Sequence, residues 1–97
     1  MMREKGESEW IKVDLHIHTV DDPKDVIDYS AHELLERARS LGFGALAITL
    51  HDAVFDRAEV YADAEKLGIL LIPAAEMRLE GADVIILNVS ADEMAQL

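Results

Sequence analysis

Two stretches of this chain stop in the same way: a helical pattern closes at Leu41-Gly42-Phe43 and again at Leu67-Gly68-Ile69, and an apolar run follows each time. A helix that ends at a glycine and leads at once into an apolar strand, twice over, leaves few folds open. Repeated β/α units have right-handed crossovers, which place the helices outside a parallel sheet. The upstream signals agree. Ser30 with Glu33 makes a capping box, and Leu34, Leu35, Ala38 and Leu41 then recur at helical spacing up to Gly42. Asp56 and Glu59 are expected to open the second helix, with Val60, Ala64 and Leu67 along its buried face.

Ahead of the first helix, Ile11, Val13, Leu15 and Ile17 alternate with Lys12, Asp14, His16 and His18, the period-two pattern of a strand with two different faces. Ala45 to Leu50 is nearly all apolar, as a parallel strand covered on both faces is, with His51 and Asp52 at its C-terminal end. Ile69 to Pro73 reads as a third strand with Glu76 just past its end, and Asp83 to Val89 as a fourth. Ser90 and Glu93 repeat the capping box ahead of a helix beginning at Ala91. Residues 20–29 carry four aspartates, a proline and a lysine without apolar periodicity, and are expected to form a loop. The 97 residues support a single domain, with residues 1–9 expected to form a flexible tail. Four strands fall short of a closed barrel, so the pattern is that of the first half of something larger.

Composition narrows the chemistry. Nine basic against twenty acidic side chains give a net charge of −11, which argues against nucleic acid or an anionic membrane as a partner. Such acidity serves solubility or holds cations. There is no cysteine, so any metal must be held by imidazole and carboxylate. The first ten residues carry no apolar run of the signal-peptide kind, and no apolar segment approaches the roughly 20 residues of a membrane span; a cytoplasmic location is expected.

His16 and His18, two residues apart on a strand, share one face with their Cβ atoms about 6 to 7 Å apart, close enough for both imidazoles to reach one ion. His51 and Glu76 come at or after the ends of later strands, where ligands collect in α/β sheets. Three successive strand ends thus offer metal-compatible groups. Asp21, Asp22, Asp25 and Asp28 fit loop turns with or without metal; Asp22 or Asp25 is expected as an additional ligand. His32, near the start of the first helix, has no partner by spacing and is expected to be exposed, and Trp10, Tyr29 and Tyr61 are expected to be packing or boundary residues.

Val13-Asp14-Leu15-His16-Ile17-His18-Thr19, Ala47-Ile48-Thr49-Leu50-His51-Asp52 and Ile72-Pro73-Ala74-Ala75-Glu76 resemble, in order and spacing, the first three motifs of the PHP (polymerase and histidinol phosphatase) family. The resemblance covers about residues 11 to 89. It implies a distorted (β/α)7 barrel with divalent ions at the C-terminal strand ends, zinc or manganese most often, with iron and magnesium as further candidates. It also implies metal-assisted hydrolysis of a small phosphorylated substrate. By that resemblance His16 and His18 are first-motif ligands, His51 is the second-motif histidine, and Glu76 is the carboxylate between two metals, with Glu76 and His51 at the reaction centre. Leu50 departs from the family's Thr-Asp-His, and Asp52 is a candidate to compensate. Family members are about twice this length or more and carry later histidines and an Asp-x-His; after Glu76 this chain has no histidine. Missing sequence, a partner chain or a second copy would therefore have to complete the barrel, and a non-catalytic or degenerate metal-binding module acting through a partner chain is the alternative reading. Amidohydrolase barrels also begin with His-x-His but commonly bridge metals with a carboxylated lysine, whereas Lys66 lies in the second helix.

Overall fold

The computed structural model describes residues 10–97, and the tail expected over residues 1–9 lies outside the described residues. The elements run β1 (Lys12–Ile17), α1 (Ala31–Ser40), β2 (Phe43–His51), α2 (Ala58–Lys66), β3 (Leu70–Leu79), β4 (Ala82–Leu87) and α3 (Ala91–Met94). They build one sheet of order β1-β2-β3-β4, in which β1, β2 and β3 are parallel. Among the described residues no helix is long and apolar enough to cross a membrane.

The first β/α unit forms as its sequence predicts. Ser30 Oγ accepts from Glu33 N–H at 3.1 Å while Glu33 Oε1 accepts from Ser30 N–H at 3.0 Å, so two of the helix's orphan donors are satisfied reciprocally. Arg37 and Arg39 lie in the last turn, where cations complement the helix dipole, and Gly42 at φ 81° makes the left-handed exit. Leu41, expected on the apolar face, is instead half exposed at the C-cap. The second helix starts differently from expectation. Its N-cap is Arg57, without a side-chain capping bond, and Asp56 lies outside the helix. The Arg57 guanidinium turns to Glu59 and Asp21 instead.

Three expectations about the third and fourth strands need correction. β3 continues through Pro73 to Leu79, so Glu76 is inside the strand. Pairing with β4 begins only at Ala74, so Pro73 lies beyond that ladder, where a residue without an N–H is tolerated. β4 runs antiparallel to β3, joined through Glu80 and Gly81 at φ 50° and 83°, the two positive values of a type I′ hairpin. It ends at Leu87, short of the expected Val89. Ser90 and Glu93 do form their capping box, though the helix has only four residues.

The sheet's two faces differ in kind. Leu46, Ile48 and Leu50 of β2 join Ile17, Leu71, Leu35, Ala38, Val60, Ala64 and Phe55 in one buried cluster under the helices. The alternate residues Ala45, Ala47 and Thr49, also buried, carry small side chains on the opposite face, and that row ends in His51. Leu50 therefore packs in the core, on the opposite face of the strand from His51. The position where a second-motif aspartate is expected contributes nothing to the neighbourhood of the histidines.

His32 also has a partner after all: its Nδ1 lies 3.1 Å from Asp63 Oδ2, between the two helices. Tyr29 and Tyr61 pack against the core as expected, and Trp10 is exposed at the start of the described chain. Tyr61 Oη donates to the Phe55 carbonyl at 2.6 Å, and burial pushes its phenol up to about 12. This raised pKa stabilises the fold fully below the unfolded value near 10, and the contribution is lost as pH rises through about 12. Tyr61→Phe is expected to cost about 1 kcal/mol at neutral pH in denaturant unfolding. It should also remove the high-pH step from an alkaline absorbance titration.

Candidate metal centre

Register places the site. His51 of β2 and Glu76 of β3 are direct partners in the parallel ladder, so their side chains lie side by side on the face opposite the helices. On the other side, β1 ends at Ile17 and carries His16 and His18 to the same place, after its pairing with β2 slips between Asp14 and Ile17. A slip of this kind re-aims the side chains beyond it. Thr49 Oγ1 donates to the Ile17 carbonyl at 3.2 Å, anchoring the strand end from which the histidines project.

The imidazoles converge on one oxygen. Glu76 Oε1 lies 2.9 Å from His16 Nε2, 3.1 Å from His18 Nε2 and 3.6 Å from His51 Nε2. On their other edge His18 and His51 share a second carboxylate. Asp22 Oδ2 is 2.6 Å from His18 Nδ1, and both Asp22 oxygens are 3.1 Å from His51 Nδ1. The His18 and His51 rings stack with centroids 4.6 Å apart and planes 12° apart.

Asp22 is the most tightly held member. Its side chain is fully buried and also accepts the backbone N–H groups of Lys24 at 2.8 Å, Asp25 at 3.0 Å and His51 at 3.2 Å. Burial alone would raise its pKa, but the N–H groups of Asp25 and Lys24 and the two imidazoles outweigh it and hold the carboxyl well below the usual range. The bond to Asp22 in turn raises the His51 pKa, against an opposing effect of burial.

This arrangement fits a bound cation on two grounds. His18 faces a carboxylate oxygen with each ring nitrogen, yet a neutral imidazole has one N–H and one lone pair, so one of the two contacts would set lone pair against oxygen. Protonating His18 would meet both contacts but would set its charge against the stacked His51 ring, whose charged form the bond to Asp22 also favours. A cation between the Nε2 atoms and Glu76 removes the conflict. Ligand atoms bound about 2.0–2.2 Å from one ion also sit about 3 Å apart, close to the separations found here. The potential donors form two overlapping groups, His16, His18 and Glu76 in one and His18, Asp22, Asp25 and His51 in the other.

Every residue singled out as a metal ligand thus lies in or beside this cluster, although not equally. Asp25 is at the margin, half exposed and 3.7 Å from His51 Nδ1. Asp21 bonds instead to Thr19 and Arg57. Asp52, the candidate to replace the second-motif aspartate, turns away from the cluster to Lys24. Sequence reasoning missed Lys24; its position two residues after Asp22 in a loop that touches His51 was the only available signal.

Fold and site together define a β/α half-barrel with a histidine–carboxylate cluster at its C-terminal strand ends. The PHP domain matches residues 14–96, and the chain belongs to that family. Among solved structures it is similar to an amidohydrolase from Chromobacterium violaceum determined with bound sulfate and no metal, at 24% identity and a TM-score of 0.70 over 88% of this chain and 31% of that one. It is also similar to a protein from Bifidobacterium adolescentis assigned as a metal-dependent phosphoesterase, at 29% identity and a TM-score of 0.61 over 84% of this chain and 28% of that one. The chain therefore spans less than a third of either protein. No curated protein matches.

Because the Asp22 pKa is lowered on folding, its ionised form contributes stability that is fully present above the ordinary aspartate value near 4 and is lost as pH falls through the folded value. In the metal-free chain, Asp22→Asn is expected to lower unfolding stability at pH 7 by at least about 2 kcal/mol. It should also flatten the acid limb of the stability–pH curve. An unchanged acid limb would show that Asp22 is not the group responsible.

Proposed function

We propose that this chain carries the metal-binding half of a phosphoesterase site, and that the reaction it serves is divalent-metal-dependent hydrolysis of a small phosphate ester. The observation that carries this reading is the convergence of three imidazole Nε2 atoms on Glu76 Oε1, with Asp22 fixing two of the rings from behind. The similarity to a metal-dependent phosphoesterase supports the choice of reaction.

His16, His18, His51 and Glu76 would hold an ion on the side of the ring Nε2 atoms, with Asp22 behind His18 and His51 as the carboxylate that orients them and Asp25 as a marginal candidate ligand. Imidazole and carboxylate without thiolate favour zinc or manganese; magnesium, which prefers oxygen ligands, suits this set less well. Such ions, when bound, supply the Lewis acidity that polarises a phosphoryl oxygen and activates water. They also offset the negative charge of Glu76 and Asp22, so an anionic ester is accepted despite the chain's net charge of −11. Asp22 keeps His18 and His51 oriented with their Nε2 atoms toward Glu76, which is how a carboxylate behind a histidine raises metal affinity.

Catalysis needs more than these residues. Among the described residues β1 and β4 are the edges of the sheet, and on the face that bears the histidines Leu70 and Leu87 stand 64% and 42% exposed. Further strands, from the same polypeptide, a second copy or a partner chain, close this side and complete the site.

Equilibrium dialysis followed by metal analysis tests the reading. The unmutated chain is expected to retain zinc or manganese stoichiometrically, and His16→Ala/His18→Ala to lose it. Glu76→Gln should weaken binding by more than the roughly 10- to 100-fold that loss of an outer partner costs. Failure of the unmutated chain to retain either metal would overturn the proposal.

A further inference from the structure

Beside the cluster lies an ion pair that joins two separate parts of the chain. Lys24 Nζ donates to Asp52 Oδ2 at 2.7 Å. Asp52 follows His51 directly and has φ 57°, a left-handed conformation that aspartate tolerates better than most side chains. Its backbone N–H donates to the Glu76 carbonyl at 2.8 Å, which carries the β2–β3 pairing one residue past the strand end. The Lys24 backbone N–H meanwhile donates to Asp22 Oδ1. The contacts close a ring that runs from Asp22 to His51, along the chain to Asp52, through the ion pair to Lys24, and back to Asp22.

We infer that the Lys24–Asp52 ion pair is a latch that holds the aspartate-rich loop against the end of β2 and so positions Asp22 for His18 and His51. The Asp22 carboxylate is aimed partly by the N–H groups of residues 24 and 25, and the latch fixes that turn from its outer side. Val20 N–H to the Tyr29 carbonyl and Arg57 to Asp21 tie the loop ahead of this turn, and within it Asp25 Oδ2 comes only to 3.7 Å from His51 Nδ1, so the 2.7 Å ion pair is the shorter charged contact that ties the turn to the end of β2. Lys24 and Asp52 are 58% and 47% exposed, so solvent limits the coupling to roughly a two- to fivefold effect. The effect on metal affinity rests on the function proposed above; the effect on the loop does not.

The test uses the whole 97-residue chain. Lys24→Met, Asp52→Asn, their double variant and Lys24→Arg are compared by amide hydrogen exchange without metal and by zinc titration. Asparagine keeps residue 52 compatible with its left-handed backbone, so Asp52→Asn removes the charge without adding strain. Each single variant should speed exchange at the Lys24 and Asp25 amides roughly two- to fivefold, with no change at Leu35 or Ile48. Zinc affinity should fall by a similar factor. The double variant should be no worse than either single one, and Lys24→Arg should stay near the unmutated rates. Unchanged exchange at residues 24 and 25 in both single variants, or additive effects in the double, would overturn the latch. If the unmutated chain binds no zinc, the metal reading fails while the exchange rates still decide the latch.

Discussion

Asp22 accepts hydrogen from three backbone N–H groups and faces two imidazoles from a position shut off from solvent. A carboxylate buried this way is tolerable only because its donors outweigh lost hydration, and those donors come from the end of β1, the loop itself and the end of β2. The demand that this charge be satisfied draws an otherwise polar, turn-rich loop down onto the strand ends. It also fixes the rotation of His18 and His51 about their Nδ1 atoms, which leaves Nε2 as the free edge of each ring. The convergence on Glu76 follows from that constraint together with the β2–β3 register.

The strands beneath this end divide their labour by face. Leucine, isoleucine and phenylalanine side chains fill the space between sheet and helices, whereas alanine and threonine line the opposite face of β2 and leave room beside it. At the C-terminal end of β2 the change takes a single step along the strand, from Leu50 in the core to His51 at the site. That alternation explains how a family-atypical leucine is accommodated next to a site histidine: it adds apolar burial on one face and takes nothing from the other.

Much of this is legible in the sequence. The capping box at Ser30 and Glu33, the glycine exits at Gly42 and Gly68, and the apolar run ahead of His51 carry strong local signals, and the two parallel β/α units follow from them. The gathering of His16, His18, His51 and Glu76 was legible through strand-end logic. What escaped depended on pairing at a distance. A short apolar run does not reveal its direction, so β4 was not recognised as antiparallel, although Glu80-Gly81 between two apolar segments was a usable hairpin signal. Pro73 suggests a strand end, yet it pairs with Ile48 of β2 and lies only just beyond the β3–β4 ladder, which begins at Ala74. The bonds that Asp22 makes to both histidines, that Asp52 makes to Lys24 and that His32 makes to Asp63 span loops and helices whose relative placement no local pattern encodes.

The central claim is that His16, His18 and Glu76 face a common cation. Anomalous diffraction from crystals of the chain grown with zinc, with data at and below the zinc absorption edge, tests it most directly. The account predicts a peak about 2.0–2.2 Å from the Nε2 atoms of His16 and His18 and from a Glu76 carboxylate oxygen. A zinc peak confined to other surface carboxylates, or the three side chains in direct hydrogen bonds with no anomalous density among them, would contradict it.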